Sequence, residues 1–503
     1  MWRFRMPVAS FLLILLVSAL RAFGQADEAA PQDWRALVGP EKAPDAIAPI
    51  EAPFDMPQLA RPAFPDVVFN ITDFGAVGDG LANNRQAINA AIDACTNAGG
   101  GTVLVPAGEW LTGAIQLKSN VNLHLAEGAI LRFSIDPKDY LPTVFTRWAG
   151  FECINYSPLI YANNSENIAI TGPGTIDGNG ESWWPWAEYQ EDTAKRMYRE
   201  QILKGVPPEE RIYGTPEAGL RPQMISPINC RNVLLEGFTI AKPGPFWTID
   251  LVYCDRVIVR KLRVFTVGGP NTDGINVDSC RNVLIEHCDL NTGDDCICMK
   301  SGMNEDGWRV AKPAENVVIR YNRTAQGHGG AVFGSDMSGD IRNVYVHSCV
   351  YEGTALGIRL KSTRGRGGVV EKLWFDNIDM KDIQGEAIQM TTAYSAWMGT
   401  TEGKAPTFRD LQFNNIRVNG ARYAARLEGL PEALLREIRM QNVVITAKEG
   451  FSATLVDGIQ LERVLVHAEN GPAFQWEQCQ LLTIDGETKE TSGTLGGNGA
   501  SVP

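Results

Sequence analysis

Three aspartates in two short motifs are the strongest candidates for chemistry in this sequence. Asp273 lies in an Asn-Thr-Asp-Gly motif, and Asp294 and Asp295 lie together in a Gly-Asp-Asp-Cys motif. If Ile275 and Ile297 both point into a core, Asp273 and Asp295 lie in line on adjacent strands, while Asp294 is turned differently. Such a pair could hold and deprotonate a water, and a third carboxyl could protonate a leaving oxygen.

This division of three carboxyls matches the layout of an inverting glycosidase. In such enzymes the acid and base carboxyls lie about 6.5 to 9.5 Å apart, which leaves room for the attacking water. Either motif alone is more typical of an ordinary turn, because Asp and Gly are common turn residues. Two motifs in register, followed by histidine and basic motifs in the next segments, favour an active site.

The histidine and basic motifs follow at similar positions further along the chain. His328 lies between glycines, and Arg359 and Lys361 lie two residues apart in an Arg-Leu-Lys motif. Residues two apart on a strand project to one face, so both cations could bind the carboxylate of an acidic sugar. We interpret His328 as a partner of the acid or of the sugar. A structural histidine and a solvated basic run are the alternatives.

A repeat of apolar positions must bring these motifs together. From position 233 onward, apolar residues recur at a start position and at two, five and seven residues after it. Two-residue alternation indicates a strand with one buried face, and the jump to the fifth position indicates a tight corner. Near-regular spacing with loop insertions predicts a parallel β-helix. The starts are residues 233, 257, 283, 317, 344, 373, 411 and 438.

Other segments are assigned from their composition. Asn377, Asn415 and Asn442 recur at the predicted corners, where asparagine tolerates a left-handed backbone. Gln86 to Cys95 has helical apolar spacing and predicts a helix that caps the solenoid, with Asn83 and Gln86 forming a capping box. The long excursion before Val233 contains Trp183, Trp184 and Trp186 and predicts either a wall over a groove or a packing flap.

The termini and the overall charge suggest an exported protein. Residues 1–24 have the charged, apolar and small-residue regions of a signal peptide, and no second apolar stretch of spanning length follows. Residues 25–63 are interpreted as a linker, 64–482 as the catalytic β-helix and 483–503 as a flexible tail. The net charge of −13 argues against a nucleic-acid partner.

Ten cysteines could form disulfides in an exported chain. However, Cys230, Cys254 and Cys280 occupy equivalent repeat positions, which favours stacked, buried free thiols. Cys296 and Cys298 have no matching second pair, so we expect no zinc site.

At its four motifs the sequence resembles the polygalacturonase family, glycoside hydrolase family 28. The Asp-Phe-Gly-Ala-Val-Gly-Asp-Gly run at 73–80 and the Gly-Pro-Gly-Thr-Ile-Asp-Gly run at 172–178 extend this resemblance over most of the chain. It implies a right-handed parallel β-helix that hydrolyses galacturonic-acid polymers with inversion, without a metal or other cofactor. Asp294 would be the general acid and Asp273 with Asp295 the base pair. The substrate-site residues would be His328, Arg359, Lys361 and Asn271.

The resemblance leaves several alternatives open. The long excursion is similar to bacterial exo-acting members, so we expect an exo mode on pectin or oligogalacturonides. A rhamnogalacturonan or xylogalacturonan hydrolase is the first alternative. A pectate lyase is another, although no acidic cluster beyond the three aspartates has a calcium-ligand pattern. A non-enzymatic polysaccharide-binding solenoid is the third. We expect a monomer, secreted or periplasmic, without membrane insertion.

Overall fold

A computed structural model describes residues 33–395, 398, 402–496 and 501–502. The predicted signal peptide, residues 1–24, lies outside the described residues. Within the described residues, no helix is both long and apolar enough to cross a membrane.

The described chain winds into a parallel β-helix, as the repeat predicts. Each coil contributes one strand to each of three sheets, and every strand pairs with the equivalent strand of the next coil. Sheet 1 contains Val68–Asn70, Gly101–Val105, Val121–Leu125, Glu166–Thr171, Arg231–Glu236, Asp255–Arg260, Arg281–Glu286 and Ala314–Arg320. Sheet 2 contains Gly108–Thr112, Ala129–Phe133, Thr175–Asp177, Thr239–Lys242, Arg263–Phe265, Asp289–Asn291 and Arg323–Ala325. Sheet 3 contains Ile115–Gln116, Ile160–Asn163, Ile225–Ile228, Ile249–Val252, Ile275–Asp278, Ile297–Lys300, Ala331–Gly334 and Ile358–Lys361.

The later coils run through their corners as continuous strands. These long strands are Ile341–Glu352, Val369–Thr391, Thr407–Glu428, Leu435–Thr454 and Val456–Glu477, and the short strand Gln480–Ile484 follows. In the described part of the predicted tail, Gly493–Leu495 and Ser501–Val502 pair antiparallel with Val456–Glu477, and Glu487–Thr488 pairs with Gln480–Ile484. These strands cover the last edge of the solenoid, which would otherwise expose unpaired backbone groups.

The core is the column of side chains that point inward from all coils. The apolar repeat positions, such as Val233, Leu235, Phe238 and Ile240, are buried, which confirms the periodicity. In some copies of the repeat a polar residue stands at a usually apolar position, and that residue is buried as well. Asn322 is fully buried, where its side chain accepts from the Cys288 amide at 2.8 Å and donates to the Ile285 carbonyl at 3.0 Å.

All ten cysteines are free and buried, so the expectation of stacked thiols is confirmed. Cys230, Cys254 and Cys280 lie on successive coils, and the Cys254 amide contacts the Cys280 sulfur at 3.1 Å.

Asparagines with left-handed backbones mark two corners of the coil. Asn377, Asn415 and Asn442 have φ values of 54°, 53° and 55°, as expected for the corner between sheets 1 and 2. Asn442 donates to the Asn415 side chain of the previous coil at 3.1 Å. A second ladder lies near the start of the sheet 1 strands and includes bonds from Asn232 to Asn167 and from Asn343 to Asn316. These bonds fix the register of neighbouring coils.

Within the described residues, three α-helices accompany the solenoid. Helix α1, Arg85–Asn97, buries Ile88, Ala91, Ile92 and Cys95 against the first coils, which confirms the predicted cap. The predicted capping box does not form. Asn84 is the N-cap residue, and Asn83 accepts a hydrogen bond from the Arg85 amide instead. Helices α2, Ala187–Met197, and α3, Asn304–Val310, lie in insertions between strands.

The predicted linker, residues 25–63, differs from the structure over its described part. Residues 33–63 lie along the outer face of sheet 1 as a strap, with two short 3₁₀ helices at Trp34–Leu37 and Pro40–Lys42. Ile50 and Leu59 are buried against outward-facing sheet residues such as Leu234. Arg260 and Arg320 beneath the strap donate to its backbone carbonyls. The Pro-rich and Ala-rich composition concealed these apolar anchors.

Two insertions rise beside sheet 3. The first is an antiparallel hairpin of Val144–Trp148 and Phe151–Asn155. The second is the long excursion, which contains the 3₁₀ helix Gly180–Trp186, helix α2, the π-helical turn Tyr198–Ile202 and the 3₁₀ turn Pro208–Glu210. Trp183 packs edge-on against Tyr140 and Tyr156. The remaining 3₁₀ helices are Ile71–Phe74 and Pro137–Tyr140.

Candidate active site

The start of sheet 3 aligns the first two aspartates, as their register predicts. Ile275 pairs with Ile297, and the Gly274 amide donates to the Asp295 carbonyl at 2.9 Å. Asp273 and Asp295 therefore occupy equivalent positions on adjacent coils, and both are buried.

A cleft of about 400 Å³ lies over these positions. It is lined by all seven residues that the sequence singled out: Asn271, Asp273, Asp294, Asp295, His328, Arg359 and Lys361. Its other walls come from the insertions and neighbouring coils: Trp148, Ala149, Ala187, Gln190, Glu191, Phe246, Trp247, Lys300, Ser335, Asp336 and Tyr394. Strand register across four coils thus assembles one site from distant sequence positions.

Asp295 has one oxygen held by a cation and one oxygen free. Its Oδ2 accepts from Lys361 Nζ at 2.8 Å, and Arg359 Nη1 lies 3.9 Å from Oδ1. Among the described residues, Oδ1 has no hydrogen-bond partner although it is buried. A buried acceptor without a partner costs free energy, so this oxygen is suited to take a hydrogen bond from a bound water.

Asp273 has its own lysine, which the sequence reasoning missed. Lys300 Nζ lies 3.4 Å from Asp273 Oδ2. Burial raises the pKa of Asp273 to about 8. Lys300 acts in the opposite direction, and the charges of Asp294 and Asp295 add to the rise. Each of the two stacked carboxylates therefore lies beside a lysine.

Asp294 forms an ion pair with His328. Its Oδ1 lies 2.9 Å from His328 Nδ1, and the same oxygen accepts the Asp295 amide at 2.9 Å. Burial opposes the charge on Asp294, but the hydrogen bond and charge of His328 lower its pKa to about 2, helped by Lys361 and Lys300. The hydrogen bond that His328 donates to Asp294 in turn raises the pKa of His328. These opposite pKa shifts favour a charged Asp294 beside a protonated His328.

Arg359 is the cation best placed to meet a ligand. It is partly exposed, its Nε donates to Gln389 at 3.1 Å, and its guanidinium lies 5.3 Å from the Tyr394 ring centre. Arg359 and Lys361 project to the same face of Ile358–Lys361, as predicted. Lys361 is largely buried against Asp295, so it is less available to a ligand than the sequence suggested.

Asn271 borders the cleft but its side chain is already engaged. Its Oδ1 accepts from Arg221 Nη2 at 2.7 Å, and its backbone is left-handed, with φ of 57°. Arg221 is itself buried, and it also donates to the carbonyls of Pro245 and Pro270. Asn271 therefore links the cleft wall to the coil beneath it.

The donor atoms of Asp294, Asp295 and His328 lie within 4.8 Å of one another, a spacing that could hold a metal ion. However, the cation Lys361 already contacts Asp295, and the ring nitrogen of His328 faces Asp294. A further positive charge would have to displace these partners, so the donor set does not fit a metal.

The aromatic wall of the cleft was also missed. Trp148, from the hairpin, stacks on Phe246 with ring centres 5.3 Å apart, and Phe246 stacks on Trp247 at 5.1 Å. No periodicity marks the hairpin, because it lies outside the repeat. The Phe246-Trp247 pair, two residues before Ile249 in the coil before Asp273, was the available signal.

Comparison with known proteins identifies the family. Residues 95–462 match the model of glycosyl hydrolases family 28. The chain belongs to this family. It is 31% identical to a probable polygalacturonase of Vitis vinifera over 408 residues, covering 78% of this chain and 77% of that one. It is 29% identical to an exo-poly-alpha-D-galacturonosidase of Dickeya chrysanthemi over 379 residues, covering 70% of this chain and 62% of that one.

Solved structures of family 28 members confirm the β-helix. An exopolygalacturonase from Thermotoga maritima superposes with a TM-score of 0.75 and 35% identity, covering 87% of this chain and 97% of that one. A family 28 exopolygalacturonase of Yersinia enterocolitica gives a TM-score of 0.71 and 25% identity, covering 84% and 79%.

Proposed function

We propose that this family 28 glycoside hydrolase cleaves α-1,4 bonds of polygalacturonate by inversion, from chain ends. The observation that carries the proposal is the division of the three aspartates. Asp273 and Asp295 stack beside lysines, whereas Asp294 is bound to His328. Carboxyl groups with different charged partners in one cleft can serve separately as acid and base.

The acid is the pair of Asp294 and His328. His328 holds the proton in the free protein, and the 2.9 Å hydrogen bond gives it a short path to Asp294. As the glycosidic bond breaks, charge develops on the leaving oxygen and Asp294 delivers the proton there. The neutral histidine is then reprotonated from solvent, to which it is exposed.

The base is the pair of Asp273 and Asp295. A water held between them would donate to the free Oδ1 of Asp295, while the ammonium of Lys361 donates to the other oxygen of Asp295. The pair takes the proton of the water as its oxygen attacks the anomeric carbon. Attack opposite the leaving group inverts the configuration at that carbon.

The basic residues of the cleft indicate the substrate class, and the insertions that wall the cleft indicate the exo mode. Arg359 is positioned to bind a uronate carboxylate, and Asn271 and Lys361 border the same cleft. Gln190 and Glu191 of helix α2, with Trp148 and Ala149 of the hairpin, line the side of the first coils. We infer that these insertions stop a polymer from extending through, so that only its end enters. The named exopolygalacturonase relatives support this mode.

A time course of homogalacturonan digestion in EDTA tests the proposal. A short, uniform saturated product from the first time points supports exo hydrolysis. Mixed oligomers would instead indicate an endo mode. An unsaturated, ultraviolet-absorbing product lost on chelation would indicate a lyase. Polymer binding without new reducing ends would indicate a binding solenoid.

We also propose that the mature protein is an exported monomer. Residues 1–24 have the sequence pattern of a signal peptide, and the substrate is an extracellular plant polymer. A rhamnogalacturonan or xylogalacturonan substrate is the alternative, and release of galacturonate oligosaccharides that carry rhamnose or xylose from those polymers would support it.

A further inference from the structure

Lys300 is a buried cation at the catalytic pair that belongs to none of the four sequence motifs. It is the last residue of Ile297–Lys300, the strand that begins two residues after Asp295. Its side chain is only 6% exposed, and its ammonium lies 3.4 Å from Asp273 and 4.4 Å from the centre of the Trp247 ring. A charge this deeply buried is costly unless it is paired, so its position requires a partner.

The surroundings of Lys300 direct it to Asp273. It pairs in register with Asp278 of the previous coil, but Asp278 already accepts from the buried Arg147 at 2.9 Å. The other titratable groups that act on Lys300 and Asp273 are Asp250, Asp294, Asp295, Asp336, Lys361 and the Cys298 thiol. Lys300 shares an ion pair within 4 Å only with Asp273 among the described residues.

We propose that Lys300 is a positioning residue: its ammonium orients the Asp273 carboxylate beside Asp295 and offsets part of the cost of burying that charge. The inference rests on the proposed function, because it gives Asp273 a base role. The face of Trp247 and the strand fix the ammonium on one side of the carboxylate. This leaves the opposite side of Asp273 for the water. Lys300 acts through Asp273 and does not itself contact the substrate.

Lys300→Met tests this inference, because methionine keeps the length of the side chain and removes its charge. An opposite charge at this distance lowers a carboxyl pKa by about 1 unit or more. Losing it raises the pKa of Asp273, so the acidic limb of the kcat profile should move to higher pH by about that much. At pH values below this limb, kcat of Lys300→Met should be about tenfold lower than that of the wild type, while KM on polygalacturonate should be unchanged. Lys300→Arg should restore most of the shift.

Lys312→Met is the matched control. Lys312 Nζ lies 4.5 Å from the centre of the Tyr253 ring, so this variant also removes a stacked ammonium, but outside the cleft. Lys312→Met should have the same kcat as the wild type and the same acidic and alkaline limbs of the pH profile. Thermal unfolding of all three variants establishes that each is folded.

A measurement without substrate separates this inference from the proposed function. Infrared titration of the carboxyl stretch, assigned with Asp273→Asn, follows the ionisation of Asp273 directly. A higher titration midpoint in Lys300→Met supports the inference even if the protein cleaves another polymer. An unchanged midpoint, or a loss of activity carried by KM alone, would overturn it.

Discussion

At the residue scale, the chemistry depends on which cation each aspartate contacts. The sequence predicted that Asp273 and Asp295 are in register and that Asp294 differs, because strand periodicity fixes which residues stack. It did not predict Lys300 beside Asp273 or the contact of Lys361 with Asp295. Those contacts depend on side-chain reach between coils, which periodicity does not encode.

Asp294→Asn tests the acid at this scale. Asparagine has the same shape as aspartate but cannot deliver a proton to the leaving oxygen. We expect kcat on polygalacturonate to fall by about 10²- to 10⁴-fold with little change in KM. Asp382→Asn, at an exposed corner, should retain normal rates. Wild-type turnover in Asp294→Asn would remove Asp294 from the acid role.

The pH profile tests the partnership of Asp294 with His328. Asp294 raises the pKa of His328, so the histidine stays protonated to higher pH than a free imidazole. Activity should therefore persist as pH rises and decline only through that raised pKa. The variant His328→Gln has no imidazole to hold the proton that Asp294 delivers. The alkaline limb of kcat/KM should therefore move to lower pH. An unmoved limb would show that the proton comes from elsewhere.

At the element scale, the regular strands and the long excursion were predictable, whereas the hairpin of residues 144–155 and the packed strap were not. The inward positions of the repeat and the left-handed corner asparagines followed from period and backbone preference. The strap of residues 33–63 was interpreted as a linker, because its anchors Ile50 and Leu59 are isolated among Pro and Ala. Its backbone carbonyls are bound by arginines far along the chain, which no local pattern reveals.

Leu59→Ala tests whether the strap stabilises the solenoid. Leu59 is 7% exposed, and truncating a buried leucine costs about 2–5 kcal/mol. We expect a clear fall in Tm by calorimetry. Leu81→Ala, whose side chain is 80% exposed, is the control and should change stability by less than about 0.5 kcal/mol. Equal Tm values for both variants would indicate a strap that adds no stability.

At the scale of the whole molecule, a continuous core carries stability that disulfides often supply in exported proteins. All ten cysteines point away from solvent as free thiols, and several donate to backbone carbonyls, such as Cys254 to Pro227. The stacking of coils therefore needs no covalent staple.

Thiol titration checks this view of the core. The native protein should react slowly with a thiol reagent, because burial raises the pKa of thiols such as Cys288 to about 12. After denaturation without reductant, ten thiols should react. A reductant should leave Tm unchanged. A lower thiol count, or a Tm that falls with reductant, would reveal disulfides.

The stereochemistry of the first product tests the central claim most directly. Proton NMR during hydrolysis of oligogalacturonate can record the anomeric signal before mutarotation. Because water on the Asp273 and Asp295 side attacks opposite the leaving oxygen, the first galacturonate released should be the β-anomer. An α-anomer appearing first would contradict the assigned base pair, and an unsaturated product would contradict hydrolysis itself.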